Sequence, residues 1–328
     1  MFRKAALFLA GLFALAFVGA TLLNADLVSR NRHALTSGLL RDPSTYEAAR
    51  RHLVVIAPDT DDSFFRGLIE GIQESAKSAD AAIQVFRYSV ANASEADIHF
   101  ETAVRARVDG IIMYSTRKAS VARRAASAAE NGVVFIPVGT DPPDGAVNFV
   151  GSGSFLQGFE GGKIIGSQLG ASARIGAILP TSGEGDVRED PLFIGLSSGI
   201  GAFPGARVVS LTRAGPGRLS GEEAVATILK KNPDINALFC SSARDTEGAA
   251  QVIVDLNLVG RVLIIGADET SEILRFIEKG VVTASIVRDS RRIGIEAVAA
   301  FARLKEGRPS GPAVEVGFTV IGNNGGRR

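Results

Sequence analysis

The residues best placed to do chemistry are acidic and aromatic side chains that follow one apolar run. Residues 53–57 are apolar and rich in β-branched side chains, a pattern typical of a strand buried on both faces. Asp61 and Asp62 come after it, followed by the adjacent rings of Phe64 and Phe65. The sequence therefore predicts polar groups and two aromatic rings at the carboxyl end of a strand, the edge at which open α/β sheets bind ligands.

The acidic cluster around Asp62 has two interpretations. Clustered carboxylates suit a hard cation, but their spacing does not match the calcium loop with its terminal glutamate. We therefore favour turn residues or hydrogen-bond acceptors for a ligand. Asp268 stands in a similar position, after the apolar run 262–265. It is expected to cap the next helix or to bind a ligand, and one side chain can do both.

The sequence contains no recognisable catalytic motif, nucleotide-binding motif or metal site rich in histidine or cysteine. The glycine-rich loop around Gly183 lacks the lysine and serine or threonine of a phosphate loop, and no Gly-x-Gly-x-x-Gly follows the first strand. Ser152 and Ser182 lack the Gly-x-Ser-x-Gly elbow of a nucleophilic serine. Three histidines and a single cysteine, Cys240, make a metal cluster hard to assemble and exclude an internal disulfide.

The elements that must position these side chains alternate along the chain. From residue 53 onward, apolar runs alternate with amphipathic stretches, the pattern of βαβ units and a parallel sheet. The first helix is expected to be capped by Ser63. Two series of about five such units are too many for one small sheet, so we predict an α/β fold of two doubly wound parallel-sheet lobes that face each other across a cleft.

The amino terminus is a separate segment. Residues 5–23 contain no charged side chain, and a run of this length can span a bilayer. We predict a signal anchor, with a cleaved signal peptide as the alternative, because the run is longer than an ordinary signal core. Residues 24–52 are interpreted as a stalk and residues 323–328 as a tail. The formal net charge of +1 argues against a nucleic-acid partner recognised mainly by charge.

Short motifs spread over residues 53–322 resemble those of type I periplasmic sugar-binding proteins of the ribose/galactose class. Their order and spacing over this length make a chance match improbable. The matching stretches are residues 57–72 (Ala-Pro, then Ser-Phe-Phe), 108–112 (Val-Asp-Gly-Ile-Ile), 136–138 (Ile-Pro-Val), 151–164, 232–239 (Asn-Pro-Asp-Ile-Asn-Ala-Leu-Phe), 264–268 (Ile-Ile-Gly-Ala-Asp), 277–286 and 293–294.

The resemblance implies two lobes joined by three hinge crossings, near residues 151, 288 and 311. The first lobe is expected to hold residues 53–151 plus 289–311, and the second residues 152–288 plus 312–322. Such a protein is extracytoplasmic, closes around a small polar ligand, here a sugar, and presents it to an ABC permease. The alternative is a membrane-tethered sensor that reports to a histidine kinase or a chemoreceptor.

The resemblance also implies a set of ligand-binding residues. Phe64 and Phe65 match an aromatic pair that stacks on a sugar ring, and Asp268 matches an acidic residue that accepts sugar hydroxyls. Arg288 stands where the family has a polar hinge residue, often glutamine. The remaining members of the predicted set are Asp61, Asp62, Asp141, Arg188 and Ser242.

Two departures point to a ligand other than the usual pentose or hexose. The family's Asp-Arg pair after Ile-Pro-Val is replaced by a stretch in which only Asp141 can serve. The arginine of the family's second-lobe Arg-x-x-Gly-Phe is replaced by Leu192, and Arg188 is expected to substitute for it. Each buried polar group left unpaired in such a pocket costs about 1 to 3 kcal/mol, so these losses change which ligand fits.

Overall fold

The computed structural model describes residues 51–60, 62–90, 92, 94–115, 118–142, 148–180, 186–214, 220–308, 311 and 313–322. The predicted membrane segment 5–23, nearly all of the stalk, the tail and Asp61 lie outside these residues. None of the helices in the described ranges is long and apolar enough to cross a membrane.

The first half of the described chain alternates strands and helices, as predicted. Strand β1 is buried on both faces from its third residue onward, which fits its apolar, β-branched sequence. The elements in order are β1 (Arg51–Pro58), α1 (Ser63–Ala76), β2 (Ala81–Tyr88), α2 (Ser94–Arg105), β3 (Gly110–Tyr114), α3 (Lys118–Glu130), β4 (Val134–Thr140) and β5 (Phe149–Ser152).

The second half continues the alternation and ends in two short strands. Its elements are α4 (Ser154–Leu169), β6 (Arg174–Leu179), α5 (Pro191–Ile200), β7 (Arg207–Arg213), α6 (Ser220–Lys231), β8 (Ala237–Cys240), α7 (Ala243–Asp255), β9 (Leu263–Ala267), α8 (Ser271–Glu278), β10 (Ala284–Arg288), α9 (Ser290–Lys305), β11 (Ala313–Glu315) and β12 (Phe318–Gly322).

These strands form two six-stranded sheets. The first has the order β11-β5-β4-β3-β1-β2 and the second the order β12-β10-β9-β8-β6-β7. All neighbouring strands are parallel except β12, which runs antiparallel to β10. The predicted α/β fold with two parallel-sheet lobes is confirmed.

Apolar clusters cover both faces of each sheet. In the first lobe, α1 and α9 pack on one face and α2 and α3 on the other. In the second lobe, α6, α7 and α8 cover one face and α4 and α5 the other. Each lobe therefore has three layers, and the carboxyl ends of its strands are left to carry loops.

The chain passes between the two sheets three times: after β5, after β10, and between β11 and β12. We expected the third crossing near residue 311 and placed residues 312–322 in the second lobe. That boundary is wrong for β11, because Ala313–Glu315 pairs with β5 in the first sheet. The first and third crossings run side by side, where the amide of Val316 donates to the carbonyl of Gly151 at 2.6 Å.

Candidate functional site

The loop after β1 brings a carboxylate to the start of α1. Asp62 caps this helix, because its Oδ1 accepts a hydrogen bond from the amide of Phe64 at 2.9 Å. The prediction that Ser63 is the cap is wrong, since Ser63 is already the first helical residue. The acidic residue takes the role because its carboxylate also interacts favourably with the positive end of the helix dipole.

Three aromatic rings pack edge to face at this edge of the first sheet. Phe64 and Phe65 have ring centroids 5.3 Å apart, and the ring of Tyr114 lies 6.0 Å from Phe64 and 4.7 Å from Phe65. Sequence reasoning missed Tyr114. The signal that could have found it is its position as the last residue of β3, the strand beside β1.

The second lobe contributes an ion pair. Asp268 follows β9 in the left-handed region at φ 63°, and its side chain is almost fully buried. Arg288, the last residue of β10, donates from Nε to Asp268 Oδ1 at 2.9 Å and from Nη2 to Oδ2. Burial lowers the pKa of Arg288, whereas the Asp268 carboxylate raises it. The net shift of this pKa is upward.

Arg288 also joins the two lobes. Its guanidinium carbon lies 4.3 Å from the centroid of the Phe64 ring, within the range of a cation–π contact. The structure thus brings together Phe64, Asp268 and Arg288, three of the predicted ligand residues, one from the first lobe and two from the second. One ring face of Phe64, however, is occupied by the guanidinium.

Electrostatic interactions extend this cluster to Asp62 of the first lobe. Burial is the main cause of a raised pKa of Asp62, and the negative charge of Asp268 adds to it. The Phe64 amide, Arg288 and Arg244 act in the opposite direction. The Asp62 carboxylate of the first lobe therefore interacts electrostatically with three charged groups of the second lobe, namely Asp268, Arg288 and Arg244.

Ser242 is committed to a helix cap. It begins α7 by accepting from the amide of Asp245 at 3.1 Å, and its hydroxyl donates to Asp245 Oδ2 at 2.7 Å. Burial raises the pKa of Asp245 to about 6. Asp245 was not predicted, although a serine followed three residues later by an acidic residue is the pattern of a capping box.

Asp141 and Arg188 differ in their relation to the aromatic rings. Burial raises the pKa of Tyr114, and the negative charge of Asp141 adds to that shift. Asp141, at φ 57°, accepts hydrogen bonds from the amide of Ser154 at 2.9 Å and from its hydroxyl, so it supports the start of α4 beside the first crossing. Arg188 is exposed on a short 3-10 turn, where its amide donates to Asp186. None of the described contacts of the cluster involves Arg188.

A different arginine in this part of the second lobe is partly buried. Arg213, at the end of β7, donates from Nη1 to Asp190 Oδ2 at 2.9 Å and to the carbonyl of Pro180 at 2.8 Å. Asp190 in turn caps α5, which begins with a proline. The pair ties the ends of β6 and β7 to α5.

The described part of the chain contains no group of three or more His, Cys, Asp or Glu side chains able to hold a metal ion. Cys240 is buried, and that burial raises the pKa of its thiol well above the ordinary value, which disfavours the thiolate. The site can bind a ligand through rings, carboxylates and a guanidinium.

Comparison with known families identifies the fold. The periplasmic binding protein domain family matches residues 53–309 of this sequence. The chain belongs to this family. The D-allose-binding periplasmic protein of Escherichia coli (strain K12) is 23% identical over 276 residues, which cover 78% of this chain and 85% of that protein.

Solved structures agree with this assignment. A glucose-galactose binding protein, GanP from Geobacillus stearothermophilus, matches with a TM-score of 0.76 and 24% identity, covering 84% of this chain and 98% of GanP. XylFII, solved in a complex with LytSN, matches with a TM-score of 0.74 and 28% identity, covering 83% of this chain and 98% of XylFII. These matches span the two-lobe part of the molecule.

Proposed function

We propose that this chain is an extracytoplasmic solute-binding protein that closes around a small sugar and presents it to an ABC permease. The observation that supports it most is the interlobe cluster, in which aromatic rings of the first lobe meet the charged pair of the second. Family membership and relatives named for D-allose and for glucose and galactose support the same proposal. Neither a catalyst nor a cofactor is part of it.

The two lobes are proposed to move as bodies about the three crossings. One body comprises residues 53–151 with 289–315, and the other residues 152–288 with 318–322. A ligand that contacts both lobes binds the closed state more tightly than the open one and so shifts the population towards closure. The permease then binds the closed state.

Within the cleft, each type of side chain has a distinct proposed role. The rings of Phe65 and Tyr114 pack against the apolar C–H face of a sugar. Asp62, which uses Oδ1 for the helix cap, has Oδ2 left to accept a ligand hydroxyl. Arg288 donates a hydrogen bond from the hinge side. Asp141 and Ser242 hold the loops that frame the site, and roles for Asp61 and Arg188 stay predictions.

A thermal-shift screen of the full chain tests this proposal. The chain is purified in a detergent without a sugar headgroup and screened against D-ribose, D-xylose, D-arabinose, D-allose, D-glucose and D-galactose. A sugar at about 100 times its dissociation constant stabilises the fold by about 2.7 kcal/mol. The shift should disappear in Phe65→Ala and persist in Phe159→Ala, an exposed ring on α4. A folded protein that no sugar stabilises contradicts the proposal.

A second candidate is a membrane-tethered sensor that reports to a histidine kinase or a chemoreceptor. It is favoured by XylFII, which shares this fold at 28% identity and was solved in a complex with LytSN. An uncleaved anchor at residues 5–23 would suit this role, because tethering raises the effective concentration near a partner. Deleting the gene should abolish sugar uptake if the permease is the partner. Unchanged uptake with a lost transcriptional response favours the sensor.

A further inference from the structure

One side chain, Arg288, covers two groups that the sequence predicts to bind a ligand. Its Nε and Nη2 bind both oxygens of Asp268, whose side chain is only 4% exposed. Its guanidinium also lies over the ring of Phe64, which is 3% exposed. A carboxylate at a strand end and the face of an arene are the groups that bind sugar hydroxyls and sugar C–H bonds, and here both are occupied.

The ion pair is held in place by hydrogen bonds between the Asp268 backbone and β10. The amide of Asp268 donates to the carbonyl of Ile286 at 3.0 Å, and the hydroxyl of Ser285 donates to the carbonyl of Asp268 at 2.7 Å. Both partners belong to β10, the strand that ends in Arg288. The left-handed backbone of Asp268 and these two bonds aim its carboxylate at the guanidinium, so the pair is built into the sheet.

A ligand hydroxyl cannot easily replace Arg288 on Asp268. Bidentate pairs between arginine and a carboxylate are among the stronger hydrogen-bonded interactions in proteins. Stacking of the guanidinium on Phe64 adds a second contact that displacement would break. Nη1 is the guanidinium nitrogen that Asp268 does not bind, and it can only donate.

We infer that Arg288 is a specificity-determining residue that reverses the hydrogen-bonding polarity of the hinge side of the cleft. Arg288 keeps the Asp268 carboxylate and the covered face of Phe64 from contacting the sugar. In their place, its own N–H group donates a hydrogen bond to the sugar. The site therefore selects a sugar that presents an acceptor oxygen, such as a ring or carbonyl oxygen, to the hinge. Asp268 is a positioning residue for the guanidinium. The inference rests on the proposed function, namely that the cleft takes a sugar.

Titration calorimetry of matched variants tests this role. The full chain, Arg288→Gln and the double variant Arg288→Gln/Asp268→Asn are each titrated with the same six sugars, D-ribose to D-galactose. Removing the guanidinium frees a carboxylate acceptor, so Arg288→Gln should bind at least one sugar roughly tenfold more tightly than the unaltered chain. The gain should vanish in the double variant. Arg292→Gln, an exposed arginine on α9, should leave the profile unchanged.

Two results would overturn the inference. One is an Arg288→Gln binding profile equal to that of the unaltered chain for every sugar. This includes the result that neither protein binds any of the six sugars. The other is a loss of affinity with no gain for any sugar. If Arg288→Gln does not fold, Arg288→Lys is used, since lysine keeps the charge but cannot bind both oxygens in the arginine geometry. Its profile should change in the same direction by a smaller factor, and an unchanged profile overturns the inference equally.

The same titrations distinguish a failure of this inference from a failure of the proposed function. An unaltered chain that binds a sugar, together with an unchanged Arg288→Gln profile, leaves the function intact and removes the role of Arg288. A gain in Arg288→Gln where the unaltered chain binds none of the six sugars supports the role of Arg288 and contradicts the sugar range of the proposed function.

Discussion

The two lobes share a scaffold but line the cleft with different chemistry. Each is a three-layered α/β unit whose strand ends carry the site. The first lobe supplies the packed rings of Phe64, Phe65 and Tyr114, whereas the second supplies charged groups that pair with one another. The difference teaches that the ring cluster and the ion pair come from different lobes, and that Arg288 is the contact through which they meet.

The largest expected effect comes from breaking the buried charge pair of the second lobe. Asp268→Ala leaves the guanidinium of Arg288 buried without its carboxylate, and loss of one partner of a buried pair costs about 3 to 5 kcal/mol. The free energy of unfolding is measured by urea denaturation. Glu272→Ala, which breaks the exposed pair with Arg275, should cost less than about 1 kcal/mol. An equal loss in the free energy of unfolding for Asp268→Ala and Glu272→Ala would show that burial of the Asp268–Arg288 pair does not add to its contribution to stability.

The corresponding change in the first lobe removes a ring. Phe65→Ala deletes a buried side chain that contacts Phe64 and Tyr114, and it should lower the free energy of unfolding by about 3 kcal/mol. Phe159→Ala on α4 removes a ring that is 39% exposed and should cost under about 1 kcal/mol. A similar loss in both variants would contradict the packed ring cluster.

Much of this separation could be predicted from the sequence, because strand ends are visible as apolar runs followed by polar residues. That rule located Asp62, the two phenylalanines and Asp268, and the family resemblance added Arg288. It could not predict that Arg288 pairs with Asp268, since the pairing depends on how β9 and β10 lie side by side. For the same reason Tyr114 was missed.

Two other predictions rested on local distance along the chain. Arg188 was chosen by its distance from a missing arginine; the structure places it exposed on a 3-10 turn, and its role stays a prediction. The third crossing was placed too early because Ala313–Glu315 is too short for its strand character to be recognised, and its pairing with β5 is non-local. Local patterns predict elements better than they predict contacts between distant residues.

A third prediction tests whether the helix pair α1 and α9 of the first lobe is packed as closely as the pair α4 and α5 of the second. A Cβ at Gly71 of α1 would overlap the carbonyl of Arg291 on α9, and a Cβ at Gly162 of α4 would overlap the carbonyl of Leu196 on α5. Alanine at either position should cost about 1 to 3 kcal/mol through overpacking. Gly317→Ala, where no atom lies within 4 Å, should be nearly neutral in urea denaturation. A tolerated alanine in only one lobe would show that the helix pairs differ.

The last prediction concerns pH. Because burial raises the pKa of Asp245 to about 6 from an ordinary 3.8, the folded state binds more protons than the unfolded state between these values. The contribution of Asp245 to stability is therefore full below pH 3.8 and is lost as the pH rises through 6. The slope is at most about 1.4 kcal/mol per pH unit. Asp245→Asn should remove it, whereas Asp255→Asn, at the exposed end of the same helix, should not.

The central claim is that a sugar draws the two lobes together, and the distance between them tests it most directly. Spin labels on Ile98→Cys in the first lobe and Ile194→Cys in the second occupy exposed positions, while the native Cys240 is buried. The distance is measured with and without each of the six sugars. We predict a shorter distance with the sugar that gives the largest thermal shift. An unchanged distance at saturating concentrations of that sugar would contradict closure.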